Sequence, residues 1–175
     1  LAIVGTGGMA KQHAESYANI PNCQVVAVCD IDHAKAKDFA KTHGIAQAFG
    51  DFAEMIAHCQ FEGISNVTPD RFHKSISLQA IAAGKHVLCE KPLAVNAADA
   101  HEMSQAAISA GVINMVNLSY RDAPAIQHAK HLIETGAIGN IKHLEASYLQ
   151  SWLVSHHWGN WQTEDMFLWR LSSEH

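Results

Sequence analysis

The chain has 175 residues, 48% hydrophobic and 17% charged, with a formal net charge of −5. That length holds one full domain, or one domain and part of another, and the composition is that of a globular chain rather than a disordered or fibrous one. An acidic balance without a basic cluster argues against nucleic acid, and the apolar runs are too short to span a bilayer, so neither kind of partner is expected.

The chain opens on Leu1-Ala2-Ile3-Val4, a buried strand, and runs directly into Gly5-Thr6-Gly7-Gly8-Met9-Ala10. A helical pattern follows, with Ala10, Ala14, Tyr17 and Ala18 on one side. The turn fits G-x-G-x-x-A, and each small residue has a mechanical reason. Gly5 lets the chain turn sharply off the strand, Gly7 has no Cβ to keep a pyrophosphate from the backbone, and Ala10 lets the helix pack close to the sheet. Open N–H groups at the helix start favour phosphate, which makes Gly5, Gly7, Gly8 and Met9 candidate cofactor contacts. The next apolar run ends at Asp30, 20 residues past Ala10, where the acid that bonds a dinucleotide's ribose is expected. A glycine turn without a ligand and a helix-capping Asp30 would give the same letters. Strand, turn, helix, strand and acid in sequence favour the dinucleotide.

Ile20-Pro21-Asn22 breaks the first helix, and a second strand is predicted over residues 24–29. Asp32 reads as the N-cap of a helix carrying Ala34, Ala36 and Phe39, ended by Gly44. A short strand over residues 46–49 and a helix capped by Asp51, with Phe52, Met55 and Ile56, come next. Residues 61–67 read as a fourth strand closed by Thr68-Pro69-Asp70. His73 starts a helix with Ile76, Ala80 and Ala83, which Gly84 stops. Residues 85–89 make a fifth strand with Glu90-Lys91-Pro92 at its end. Asn96 caps a long helix through Met103, Ala106 and Ala110, Gly111 ends it, and residues 112–116 are a sixth strand. Strands alternating with helices through short turns imply right-handed crossovers. The fold class is α/β, a Rossmann-type doubly wound parallel sheet covered on both faces. Ligands of such sheets bind at the carboxyl ends of the strands. Gly5 to Gly8, Asp30, Thr68 to Asp70, Glu90 to Pro92 and Asn117 should therefore converge on one edge.

The texture changes after Tyr120. Residues 125–133 read as a helix ended by Gly136, Gly139-Asn140 as a turn and residues 141–148 as a long strand, before Trp152, Trp158, Trp161 and Trp169. The chain divides into residues 1–119, a nucleotide-binding domain, and residues 120–175, the start of a second domain with too few elements for a core of its own.

Lys91 is the candidate for chemistry. At the edge where a nicotinamide would lie, its ammonium could hold a substrate hydroxyl or carbonyl and pass a proton as hydride leaves or arrives. Equally, it could be a surface lysine paired with Glu90; position alone does not separate the two. Glu90 and Lys91 also stand as candidate cofactor contacts. Thr68 and Pro69 flank the expected cofactor, Thr68 as a contact to ribose or diphosphate, and His73 either joins them or only starts its helix. Asn117 either holds the carboxamide end of the cofactor or bonds its own backbone as a turn residue. Arg121 either clamps substrate or closes a salt bridge between domains. His156-His157 reads as exposed loop in preference to a substrate contact, and the tryptophans as core or subunit interface in preference to a sugar platform. Thirteen histidines are scattered without metal spacing, so no metal is expected. Cys23, Cys29, Cys59 and Cys89 form no C-x-x-C pair and read as free thiols of a reducing cytoplasm, and no secretory pattern precedes the first strand.

Several stretches together resemble a known family: G-T-G-G-M-A at Gly5 to Ala10, V-A-V-C-D at Val26 to Asp30, N-V-T-P-D-x-x-H at Asn66 to His73 and C-E-K-P-L-A at Cys89 to Ala94. R-x-x-P at Arg121 to Pro124 and G-x-I-G-x-I at Gly136 to Ile141 add to them. The sequence is similar, over nearly its whole length, to the glucose–fructose oxidoreductase / inositol dehydrogenase / MocA (Gfo/Idh/MocA) family. The resemblance implies a nicotinamide-dependent oxidoreductase acting on sugars, inositols or related polyols. It implies a Rossmann domain followed by an α/β domain whose mostly antiparallel sheet makes subunit contacts in a homodimer or homotetramer. Lys91 would be the catalytic lysine, the Lys91–Pro92 bond cis, and Asp30 the acid that prefers NAD, with NADP possible. A downstream Asp and His that complete the family's active site are expected beyond His175. The reading is a cytoplasmic NAD(P)-dependent dehydrogenase. A dinucleotide-binding sensor or regulatory protein, and an NAD-dependent glycoside-cleaving enzyme of the same lineage, are the alternatives.

Overall fold

The computed structural model describes residues 1–151, 155, 157, 159–160 and 162–164. The chain divides into two compact units, Leu1–Asn117 and Leu118–His175. The first runs β1 (Ala2–Val4), α1 (Gly8–Ala18), β2 (Ala27–Cys29), α2 (His33–His43), β3 (Gln47–Phe49), α3 (Phe52–His58), β4 (Gly63–Asn66), α4 (His73–Ala82), β5 (His86–Cys89), α5 (Ala97–Ala110) and β6 (Asn114–Val116). Every strand pairing is parallel, in the order β3-β2-β1-β4-β5-β6. The order reverses between β1 and β4, which opens a crevice there at the carboxyl edge, as in dinucleotide-binding sheets.

The two-residue period of a strand sorts the core into two layers. Ala2 and Val4 join Ala27, Cys29, Ile64 and Val87 on one face, roofed by Phe52 and Met55 of α3, Ala80 and Ile81 of α4, and Met103 and Ala107 of α5. Ile3 and Val28 face the other way, against Ala10 and Ala14 of α1 and Ala36 and Ala40 of α2. A strand covered on both faces favours apolar residues at successive positions, which is why β1 and β2 read as continuous apolar runs.

The helix ends follow local chemistry. Asp32 accepts from the N–H groups of Ala34 and Lys35 at 3.1 and 3.2 Å, Asp51 from Glu54 at 2.8 Å and Asn96 from Asp99 at 2.9 Å. Such caps contribute about 1 kcal/mol each. Gly44 and Gly111 close α2 and α5 in the left-handed conformation, at φ 67° and 65°. The strands are shorter than the apolar runs suggest. The second covers Ala27–Cys29 rather than residues 24–29, although the Val26 N–H still reaches the Leu1 carbonyl at 2.9 Å. A single 3₁₀ turn, Asp70–Phe72, precedes α4.

In the second unit a 3₁₀ turn over Ser119–Asp122 leads into α6 (Pro124–Glu134), whose proline sits in the first turn. Residues 141–148, expected as a strand, have no ladder partner among the described residues and are exposed. Alternation predicts an extended backbone, but a strand also needs a neighbour to exchange hydrogen bonds with. Trp152, Trp158, Trp161, Trp169 and His156 lie outside the described residues; His157 is exposed. Among the described residues no helix is long and apolar enough to cross a membrane.

Candidate active site

The strands of the first unit end in one row. Phe49, Cys29, Val4, Asn66, Cys89 and Val116 are register partners across the sheet. The next N–H of each chain segment continues the ladder. Asp30 donates to Phe49 at 3.1 Å, Gly5 to Cys29 at 2.8 Å, Val67 to Val4 at 2.9 Å, Glu90 to Asn66 at 2.9 Å and Asn117 to Cys89 at 2.8 Å. Asp30, Gly5, Val67, Glu90 and Asn117 therefore stand side by side as a rim, and the expected convergence is real.

The glycines of the turn serve different ends. Gly5 lies at φ 91°, and a Cβ there would stand 2.8 Å from the Val67 carbonyl oxygen and 3.0 Å from the Thr68 nitrogen. The protein itself requires this glycine, because it presses against the backbone leaving β4. Gly7 and Gly8 are exposed, neither at positive φ, and a Cβ on either would meet nothing within 4 Å. No internal contact excludes a side chain there. Gly7 is the N-cap of α1 and supplies no side-chain acceptor, in contrast to the capped starts of α2, α3 and α5. Met9 is 42% exposed and Ala10 is fully buried against the sheet.

Thr68 is half-buried and locked: its hydroxyl donates to Asn66 Oδ1 at 2.7 Å, leaving only acceptor capacity toward a ligand. Asn66 is fully buried, and its Nδ2 holds the His73 carbonyl and the Ser77 hydroxyl, both at 3.1 Å. Pro69 is exposed beside them.

Two candidates need correction. His73 is 1% exposed, with Nδ1 2.7 Å from the Pro92 carbonyl and Nε2 2.8 Å from the Thr68 carbonyl. Its ring joins two loops of the rim from behind and has no free edge for a cofactor. Glu90 is 6% exposed. Its Oε1 faces His13 Nε2 at 2.9 Å and Asn117 Nδ2 at 2.6 Å, and its Oε2 accepts from the Lys91 backbone N–H at 3.2 Å. Burial pushes the Glu90 carboxyl up, but the hydrogen bonds from His13, Asn117 and the Lys91 N–H outweigh it and hold the carboxyl below its ordinary value. A carboxylate buried and turned inward in this way serves the protein's own donors, and it is not paired with the Lys91 ammonium.

Lys91 is itself exposed, and the bond to Pro92 is cis, as the resemblance implied. Among the described residues no carboxylate pairs with its ammonium. Asn117 does not bond its own backbone; its amide nitrogen is given to Glu90, and among the described residues no donor meets its Oδ1. Arg121 is exposed in the 3₁₀ turn of the second unit. Burial pushes the thiols of Cys29 and Cys89 up to about 12, so both are inert core groups. A surface cavity of about 340 Å³ beside Asp70, Lys74 and Asp99 shares no lining residue with the glycine turn. Asp99 and Glu102 already balance Lys74 there, at 2.6 and 2.7 Å. Among the described residues no group of three or more His, Cys, Asp or Glu could hold a metal ion.

The Gfo/Idh/MocA oxidoreductase family, with its NAD-binding Rossmann fold, matches residues 1–118. The chain belongs to this family. Trans-1,2-dihydrobenzene-1,2-diol dehydrogenase of Oryctolagus cuniculus is 41% identical over 125 residues, 71% of this chain and 38% of the relative. The scyllo-inositol 2-dehydrogenase (NADP(+)) of Bacillus subtilis is 35% identical over 149 residues, 85% of this chain and 45% of the relative. The crystal structure of scyllo-inositol dehydrogenase from Lactobacillus casei with bound NAD(H) and scyllo-inositol superposes with a TM-score of 0.75 at 28% identity, covering 80% of this chain and 42% of that one. This Gfo/Idh/MocA chain spans about two fifths of the length of the curated relatives it matches.

Sequence reasoning about this Gfo/Idh/MocA chain missed Thr6, His13, Ser65 and Asn66. One signal was available for His13: it lies three residues past Ala10, on the apolar stripe of α1. Ser65 and Asn66 are polar residues inside a strand buried on both faces, which calls for internal partners.

Proposed function

We propose that this Gfo/Idh/MocA chain binds NAD along the rim, and that the whole protein transfers a hydride between nicotinamide and a sugar, inositol or related polyol. One observation carries the reading. An uncapped helix start at Gly7 and Gly8 shares its rim with an exposed Lys91 whose ammonium meets no carboxylate among the described residues. The residues fit the cofactor. Gly7 and Gly8 leave open the space a Cβ would fill, and the free N–H groups of α1 suit a pyrophosphate. Asp30, at the end of β2, suits the ribose hydroxyls and repels a 2′-phosphate, which favours NAD over NADP. The Thr68 hydroxyl and Asn117 Oδ1 are acceptors for the ribose and the carboxamide.

Bound nicotinamide accepts or gives the hydride at its ring C4. Lys91 holds the reacting oxygen: its amine takes the hydroxyl proton as an alcohol is oxidised, and its ammonium returns one as a carbonyl is reduced. The second unit is assigned to the start of an α/β domain with a mostly antiparallel sheet, for substrate and subunit contacts. Arg121 is given a substrate contact there, in a homodimer or homotetramer. The four free thiols suit a reducing cytoplasm.

The test is a panel of inositols, sugars and dihydrodiols offered to the full-length protein with NAD, read as NADH formed, with Lys91→Ala alongside. Turnover of a polyol that Lys91→Ala abolishes supports the reading. NAD binding without turnover of any of them replaces it with the sensor. Cleavage of a glycoside without net NADH replaces it with the glycoside-cleaving enzyme.

A further inference from the structure

We infer that His13 is a positioning residue for Lys91, acting through Glu90; the inference rests on the dehydrogenase reading above. His13 belongs to the helix that begins at the glycine turn, yet its ring is 7% exposed and reaches across the sheet edge to the end of β5. An ionised carboxylate only accepts, so at 2.9 Å from Glu90 Oε1 it is His13 Nε2 that carries the proton. In the neutral ring Nδ1, 2.7 Å from Ser65 Oγ, receives the serine hydroxyl. Ser65 is fully buried, so this Ser–His–Glu chain presents no nucleophile to a substrate. Its free end is Glu90 Oε2, and what Oε2 holds is the backbone N–H of Lys91.

A lysine that acts from an exposed position has a long flexible side chain, so its backbone is the part the protein can fix. Here both neighbours of Lys91 are tied down by buried histidines. Glu90 is held by His13, and the Pro92 carbonyl by His73 at 2.7 Å. The His13 tie adds something the His73 tie does not. It fastens the lysine turn to α1, the helix whose N-terminus faces the nucleotide phosphates. One ring thereby sets the lysine in register with the bound cofactor. Displacement of a reacting group by about 1 Å can lower the rate about 100-fold.

The test uses the full-length protein with His13→Ala, His13→Gln and Lys91→Ala. Loss of the ring is expected to lower kcat about tenfold or more while the NAD Kd changes less than about threefold. His13→Gln, whose amide can donate to Glu90, is expected to recover most of the loss. In the Lys91→Ala background His13→Ala should cost nothing further in kcat, because its effect passes through the lysine. Independently of turnover, the resonance of Lys91 after ¹³C reductive methylation should move in His13→Ala and return in His13→Gln. An unchanged kcat and resonance in His13→Ala overturns the inference, as does equal loss of kcat and NAD affinity without rescue by glutamine. If His13→Ala does not fold, Glu90→Gln takes its place, with an amide NH₂ set against the donors on Glu90, and the same selective loss of kcat is expected. If Lys91→Ala keeps turnover, the chemical role of Lys91 fails. If Lys91→Ala loses turnover and His13→Ala does not, only the positioning role fails.

Discussion

Thr6 donates both its backbone N–H and its hydroxyl to Oδ2 of Asp30, each at 2.8 Å. Oδ1 accepts the Asp32 N–H at 3.0 Å. The glycine turn and the acid at the end of β2 are therefore one unit, held before any ligand arrives. A carboxylate has about four acceptor positions, so three internal donors leave room for another. That geometry pre-orients the charge proposed to set the cofactor preference.

Asp30→Ser is expected to narrow the preference for NADH over NADPH and to weaken NADH binding, since a charge-assisted bond contributes about 1.5–3 kcal/mol. Thermal-shift titration of the full-length protein with both cofactors reads this directly. Tighter NADPH than NADH binding by the unmodified protein would reverse the cofactor assignment.

Gly5→Ala and Gly7→Ala should fail in different ways. At Gly5 a Cβ meets backbone at 2.8–3.0 Å and the φ of 91° is strained for alanine, so about 2 kcal/mol or more of stability should be lost. At Gly7 there is no clash and no positive φ. The cost should be about 1 kcal/mol or less, from a poorer cap, while NAD affinity falls about tenfold or more as a methyl occupies the phosphate's approach. Urea melts and NAD titrations of both variants separate the two; equal melts would show that the contact at Gly5 relaxes.

Lys91→Ala should lower turnover about 10²–10⁴-fold, the range for a positioned proton-transfer group, with little change in NAD affinity. Steady-state rates paired with NADH fluorescence titration check it. Parallel loss of both quantities would make Lys91 a binding residue only.

Glu90 predicts an acid limb in the stability curve. Its carboxyl is held below its ordinary value of 4.5 in the folded protein, so as pH falls the unfolded chain takes up that proton first. The stabilisation is complete above the unfolded value and is lost as pH drops through the lowered folded one. The Tm gap between the unmodified protein and Glu90→Gln should be widest near neutrality and shrink below about pH 4.5. A gap that stays constant down to pH 3, roughly a unit under the usual carboxylate range, would mean that Glu90 is not ionised in the fold.

Six strands alternating with helices, the caps Asp32, Asp51 and Asn96, the glycine turn and the common rim were all legible in the sequence. They rest on short-range physics: a period of two or 3.6, a side-chain oxygen two or three residues before an open N–H, a glycine where φ turns positive. The side-chain partners were not legible. His13 finds Ser65 52 residues away and Glu90 77 residues away, and Asn117 comes within 3.3 Å of a ring 104 residues earlier. Nothing local distinguishes a glutamate facing its neighbouring lysine from one turned inward. Folding decides, because a buried carboxylate goes where donors converge. The same reason undid the strand expected over residues 141–148: alternation is written in one segment, but a hydrogen-bonded neighbour has to be brought to it by the rest of the chain.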